Sequence, residues 1–261
     1  MDWYRIKTIF IITFLVLNIF LGYQLYQKRN SSQLDIMTEA TLEEQLATDE
    51  ITYIDLPKDN LKGKYISAKS KAFSQQDLEK LDQHIVALPE PTRLQVRFAQ
   101  PIPIPESNAV FFFNQFVKEQ VINGTSYQLW NFNLETRAVT YIQVYNTKPI
   151  YHNVGGALTL FIDAENRIIG YEQTLLESIT EFEEEKEILP AIKAIEILYD
   201  KNLLKPGSRV TRAEIGYYTL VQLTASQVLT PTWHIVINDK SHYYINAFEG
   251  QIINDDTSIL E

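Results

Sequence analysis

TIFIITFLVLNIFLGYQLY, Thr8 to Tyr26, is apolar or aromatic almost throughout and carries no charge; Arg5 and Lys7 precede it and Lys28 and Arg29 follow. At 1.5 Å rise per residue it makes a helix about 28 Å long, close to the ~30 Å hydrocarbon core of a bilayer. Unpaired backbone amides are not tolerated in lipid, so a spanning run must be helical. A cleavable signal would have a shorter apolar region and small residues before the cut, whereas this run ends in Gly22, Tyr23, Gln24, Leu25, Tyr26 and Gln27. Lipidation after cleavage needs a cysteine, and the chain has none. A buried core helix is disfavoured by the terminal position and the missing polar stripe. Residues 1–30 therefore predict a short tail and a permanent transmembrane helix.

The flanking basic residues nearly balance, so the positive-inside rule does not choose an orientation. A short tail ahead of a single span usually stays cytoplasmic, which would place the main domain outside a single-pass cell-membrane protein. Tyr23 and Tyr26 suit the far interface, and Trp3 and Tyr4 the near one. Asn18 is the one clearly polar residue in mid-run. With Gly22, one turn further along the same face, it marks where a partner helix would pack. The alternative is that a single Asn is carried without a partner.

The rest of the chain has the character of a domain outside the bilayer. About 230 residues remain, enough for one large or two small domains. A 45% hydrophobic share can build a core, and 15 Tyr with 13 Phe favour β-structure. A net charge of −10 argues against nucleic acid as a partner. The absence of cysteine excludes disulfides, thiolate metal sites and thiol nucleophiles.

Residues 31–50, SSQLDIMTEATLEEQLATDE, are polar and acidic, with Leu and Met too sparse for a core, and predict a stalk or loosely packed helix. Ser74 and Asp77 resemble a capping box ahead of a helix to Leu88, stopped by Pro89 and Pro91. Leu94 to Phe98 alternates as a strand, and Pro101 to Pro105 reads as an extended connector. A helix over Glu106–Val121 precedes strands at 127–134, 139–145, 157–162 and 168–173, with a hairpin turn at Asp163–Asn166. The acidic stretch 180–187 leads into a helix over Ile188–Leu204. Strands follow at 214–223, 232–237, 242–248 and 251–254. Helix, two strands and a terminal hairpin thus occur twice. The fold class expected is α+β, with antiparallel sheets each packed by helices and a first unit at 51–185 related to a second at 186–261.

No pattern carries catalysis: G-x-S-x-G, H-E-x-x-H and phosphate-cradling loops are all missing. His234 and His242 fit adjacent strands of one hairpin, but two histidines make a poor metal site, and a surface or structural role fits them better. Tyr217-Tyr218 and Tyr243-Tyr244 each put one ring on either face of a strand, one toward core and one toward solvent. The expectation is a non-enzymatic protein without catalytic, cofactor-binding or metal-binding residues.

The opening MDWYRIKTIFIITFLVLNIFLGYQ, the stretch GYEQTLLESI from Gly170 to Ile179, and the series AIKAIEILYDKNLLKPGSRVTRAEIGYYTL, LTPTWHIVI and YYINAFEG together resemble the YycI family. The likeness runs through the whole chain in order and is weakest over 31–105. It implies a single-span, extracytoplasmic accessory protein of low-GC Gram-positive bacteria. Such a protein modulates the essential sensor histidine kinase WalK, which controls cell-wall metabolism, together with its partner YycH. The C-terminal pattern is also similar to PepSY-type modules, associated with binding or inhibition rather than turnover. The alternative is an extracytoplasmic binding module for a peptide or cell-wall fragment.

Overall fold

A computed structural model describes residues 3–57, 61–79, 81, 84–133, 136–222 and 226–253. Within α1 (Trp3–Thr48), the side chains described are those of Lys7, 10–24 and 42–48. Trp3, Tyr4 and Tyr26, expected at the membrane interfaces, the flanking charges Arg5, Lys28 and Arg29, and the strand ends at Leu134, Leu223 and Asn254 lie outside what is described.

The chain continues through β1 (Thr52–Tyr53), β2 (Lys62–Gly63), β3 (Ile66–Ser70), α2 (Gln75–Glu79), β4 (His84–Glu90) and β5 (Arg93–Pro103). Then come α3 (Ala109–Gln120), β6 (Tyr127–Asn133), β7 (Ala138–Tyr145), β8 (Lys148–Tyr151), β9 (Ala157–Ile162), β10 (Arg167–Gln173), β11 (Leu176–Glu181) and β12 (Lys186–Glu187). The last elements are α4 (Ala191–Asp200), β13 (Arg209–Gln222), β14 (Gln227–Ile237), β15 (Ser241–Asn246) and β16 (Ile252–Ile253).

Most strands join one sheet in the order β11-β3-β14-β13-β8-β7-β9-β10-β5-β4. The pairings described are antiparallel except those of β1 and β8 with β13. The expected repetition is visible as topology. After α3, strands β6, β7, β9 and β10 form a four-stranded meander, and after α4 so do β13, β14, β15 and β16. Each helix covers a core. Phe113, Phe116 and Val117 of α3 pack with Leu94, Val139, Leu160 and Ile168. Ala194, Ile195 and Leu198 of α4 pack with Val210, Trp233, Ile235 and Ile245.

The sheet does not break at the expected boundary between residues 185 and 186. Strand β3 pairs with β14, and β1 with β13, so the start of the nominal first unit completes the second. The outer edge of β14 serves β3 at Gln227–Leu229 and β15 from Thr232 on. Pro231, with no N–H to give a ladder, lies between the two. Strand β8 joins the meanders. It leaves β7 through Asn146 and Thr147, both with positive φ as a tight hairpin requires, and runs parallel to β13 at Tyr217 and Tyr218. Gly216 permits that approach: a Cβ there would lie 2.4 Å from the Pro149 carbonyl oxygen. Buried amides fasten the junction. Gln143 exchanges two hydrogen bonds with the Leu176 backbone at 2.8 Å each, and Asn153 Nδ2 donates to Gln227 Oε1 at 2.6 Å.

Residues 31–50 are not a stalk throughout. Leu42 and Leu46, four apart on one helical face, are buried against α4 and Trp233. A Schellman motif ends the helix: Glu50 takes φ 54°, Glu50 N–H donates to Ala47 O, and Ile51 N–H donates to Leu46 O. Two well-spaced leucines suffice because the partner core comes from residues 150 positions away.

The helix expected over Ser74–Leu88 is one turn only, α2. Residues 84–90 instead form β4, an edge strand that tolerates Pro89, and Pro91-Thr92 is a two-residue hairpin turn. Ile102 and Pro103, expected in a connector, pair with Ile168 and Arg167 as part of β5. The capping box itself forms. Asp77 N–H donates to Ser74 Oγ at 3.3 Å, and Ser74 N–H donates to Asp77 Oδ2 at 3.0 Å. Burial raises the Asp77 carboxyl, but the Ser74 hydrogen bonds and Lys71 outweigh it and hold it below the usual range. Ser74→Ala is expected to lower stability by about 1 kcal/mol, read as a lower urea midpoint at unchanged slope.

Candidate functional site

Two places concentrate features that a packed core does not require: the apolar run of α1, and the inner face where the two meanders meet.

In α1, Phe10, Phe14, Leu17, Ile19, Phe20, Leu21 and Tyr23 are each half or more exposed, so no described part of this chain covers them. Among the described residues no helix is long and apolar enough to cross a membrane. The described apolar side chains, Phe10 to Tyr23, cover about 20 Å of axis. Asn18 Nδ2 donates to Phe14 O at 3.0 Å, so the helix itself occupies one of the amide's hydrogen bonds. Nothing lies within 4 Å of where a Cβ on Gly22 would stand.

The inner face is built from four strands and a loop. His234 of β14 and His242 of β15 share a hydrogen bond, Nε2 to Nδ1, at 2.9 Å, their rings stacked within 15°. Tyr244 lies parallel to His234 at 4.9 Å. His152, just after β8, shares a hydrogen bond of 2.8 Å with Tyr244 Oη, and its backbone φ is 46°. Trp130 of β6 closes the cluster, with ring centroids 5.3 Å from His234, 6.2 Å from His242, 6.4 Å from His152 and 5.8 Å from Tyr151. A register shift between Leu129 and Asn131 marks a bulge at Trp130, which re-aims its side chain.

Three of the chain's four histidines therefore meet around one tryptophan. His234 is wholly buried, and its Nδ1 has no partner among the described residues. Burial pushes its pKa down to about 3, helped by His242, Arg212 and His152, whose charges all oppose a further cation. Burial, then Arg212 and His152, lower His242 as well. Among the described residues no group of three or more His, Asp or Glu side chains is arranged to hold a metal ion.

The hairpin placement of His234 and His242 follows from the sequence; the convergence of His152 and Trp130 does not. The Tyr217-Tyr218 pair does split between two faces, but neither is open to solvent: Tyr218 packs beside Tyr244 among these rings, while Tyr217 enters a separate core with Ile66, Ile150 and Leu229. A groove of about 610 Å³ lies between α3 and β6, lined by Asn114, Lys118, Gln128 and Tyr141. There Tyr141 Oη already donates to Asn114 Oδ1 at 3.0 Å.

A family model described as YycI protein matches residues 27–248. No curated protein matches the chain. Among solved structures, an uncharacterized protein from Eubacterium rectale ATCC 33656 is similar with 10% identity and a TM-score of 0.46, over 79% of this chain and 91% of that one. YycH from Bacillus subtilis is similar with 12% identity and a TM-score of 0.45; the match takes in 75% of this chain but only 54% of YycH. The C-terminal domain of YpeB from Bacillus megaterium has 11% identity and a TM-score of 0.40, over 82% and 95%.

Proposed function

The chain belongs to the YycI family, and on that premise we propose that it is a membrane-anchored regulatory protein that modulates the sensor histidine kinase WalK, acting with YycH. In this reading residues 1–30 hold the short N-terminus in the cytoplasm and cross the bilayer once, and the sheet domain lies outside the cell. The protein is a regulator and not an enzyme.

The observation that carries the reading is α1. Its exposed apolar run and its docked end belong to one helix, so a shift of either end is passed to the other. A regulator of this kind needs only a few kcal/mol of difference in packing between two states of the kinase. Asn18 and Gly22 are the contact points we assign to a partner helix. The open approach at Gly22 suits close backbone packing, and Asn18 keeps a carbonyl oxygen and a second N–H for a neighbour.

Replacing residues 1–30 with an unrelated membrane span is expected to abolish control of WalK-dependent transcription while the protein stays in the membrane. Unchanged control with the exchanged span would remove the helix as the effector. Co-purification of WalK and YycH with the full-length protein from solubilised membranes checks the partners.

A further inference from the structure

We propose that the His152–His234–His242 cluster is a proton-operated joint, closed at neutral pH and opened by mild acid, which releases the Trp130 flank of the first meander from β14 and β15 of the second. The proposal rests on geometry and stands apart from the regulatory reading.

The His234–His242 hydrogen bond joins two ring nitrogens, one giving a proton and the other a lone pair. It exists only while at least one of the facing nitrogens is bare. A second proton on His234 leaves a buried Nδ1–H with no acceptor among the described residues and, where His242 Nδ1 carries its own proton, two N–H groups facing each other. The surroundings give that charge little support. From β13 come Arg212 and Glu214, which pair with each other at 3.8 Å, and Tyr218; from β8 and its loop come Tyr151 and His152; from β15, His242 and Tyr244; from β6, Trp130. Glu214 is the sole carboxylate in that set, and it already faces Arg212.

The closed joint therefore excludes protons that the open joint accepts with an ordinary histidine pKa of about 6.5. Below that pH the freeing of His234 favours the open form about tenfold per pH unit, and His242, whose pKa is lowered as well, steepens that dependence. The sign is fixed: both shifts are downward, so closure is complete above about pH 6.5 and weakens as pH falls. His242 is exposed, so the proton has a route in from solvent. The left-handed backbone of His152, uncommon for a residue other than glycine, marks a position its surroundings must hold in place.

The test uses the full-length chain in detergent micelles, labelled with 5-fluorotryptophan and followed by fluorine NMR from pH 7.5 to 5.0. Trp130→Phe assigns the Trp130 resonance. Expected is a second Trp130 resonance whose ratio to the first rises more than tenfold per pH unit below pH 6.5, while Trp233 stays unmoved. His242→Gln keeps an acceptor for His234 but removes one titrating group, so its ratio should rise no more than tenfold per unit. A Trp130 resonance unchanged to pH 5.0, a change shared with Trp233, or equal slopes in wild type and His242→Gln each overturn the proposal.

Discussion

Alanine at Trp233 is expected to remove about 3–5 kcal/mol of stability, a large part of the ~5–15 kcal/mol that holds a domain folded. Trp233 is 1% exposed and is the largest of the fully buried side chains among the described residues. It stands where three parts of the chain meet: α4, the hairpin β14–β15, and the docked end of α1. Its indole N–H donates to the carbonyl of Leu189 at 2.7 Å, and Leu189 N–H in turn donates to Ala247 O. Truncation therefore opens a cavity and strips a partner from the peptide that leads into α4. Trp233→Phe separates the two effects. It keeps most of the volume and loses the donor, so it should cost about 1–3 kcal/mol. Urea unfolding of both variants checks this, with midpoints falling in that order at a common slope. An alanine variant within 1 kcal/mol of wild type would show that the three parts are not held together here.

The same residue shows what could be read from the chain. Thr232–Ile237 around it reads as a strand, which β14 extends back to Gln227, and the turn at 238–240 follows from Asn238 and Asp239, both of which take positive φ. The hairpin at Asp163–Asn166 is legible for the same reason. Helices α3 and α4 follow from their periodic apolar faces, though α4 stops earlier than Pro206 implies. There Asn202 takes φ 56°, and Leu203 N–H donates to Leu198 O in a second Schellman closure. What escaped is the set of short strands that join the two meanders. ISAKS in β3 alternates only from Ile66 to Lys69, too short a run to declare a strand, and KPIY in β8 does not alternate; they are strands because β14 and β13 offer them edges. Residues 84–90 went the same way, since a period of 3.6 and a period of 2 fit so short a run equally well until β5 is there to pair with it.

The candidate site was less legible than the fold. His234 and His242 are eight residues apart, and a hairpin brings them together. His152 and Trp130 reach the same place from other strands, and nothing in their local sequence says so. The bulge that turns Trp130 inward is a register defect between β6 and β7, a property of the pair and of neither strand alone. A partly covered tryptophan among three histidines is a tertiary fact. Signals of charge and spacing do not reach it.

Aspartate at Leu46 is expected to detach α1 from the folded domain and leave the sheet standing. Leu46 is 1% exposed, and its backbone carbonyl accepts the closing hydrogen bond of the helix from Ile51 N–H. A carboxylate held in that pocket without a partner would cost more than the contacts the helix end makes there. Those contacts include the burial of Leu42 and Leu46, worth about 1.5–3 kcal/mol each, the hydrogen bond from Tyr199 Oη to Asp49 at 2.8 Å, and that from Gly207 N–H to Asp49 O at 2.8 Å. Undocking is thus the cheaper response, at a loss of about 3–5 kcal/mol confined to this joint. Glutamyl endopeptidase reads it directly, because Glu43 and Glu44 are exposed but helical while docked. Cleavage there should accelerate at least tenfold in Leu46→Asp. Gln45→Asp, one residue away on the exposed side, should leave the rate unchanged. If α1 passes signals between the apolar run and the sheet, Leu46→Asp should also mimic the exchanged span in its effect on transcription, although the span itself is intact. Cleavage no faster than in Gln45→Asp would mean that the helix end is not held by its leucines, and the mechanical link drawn through it would fail.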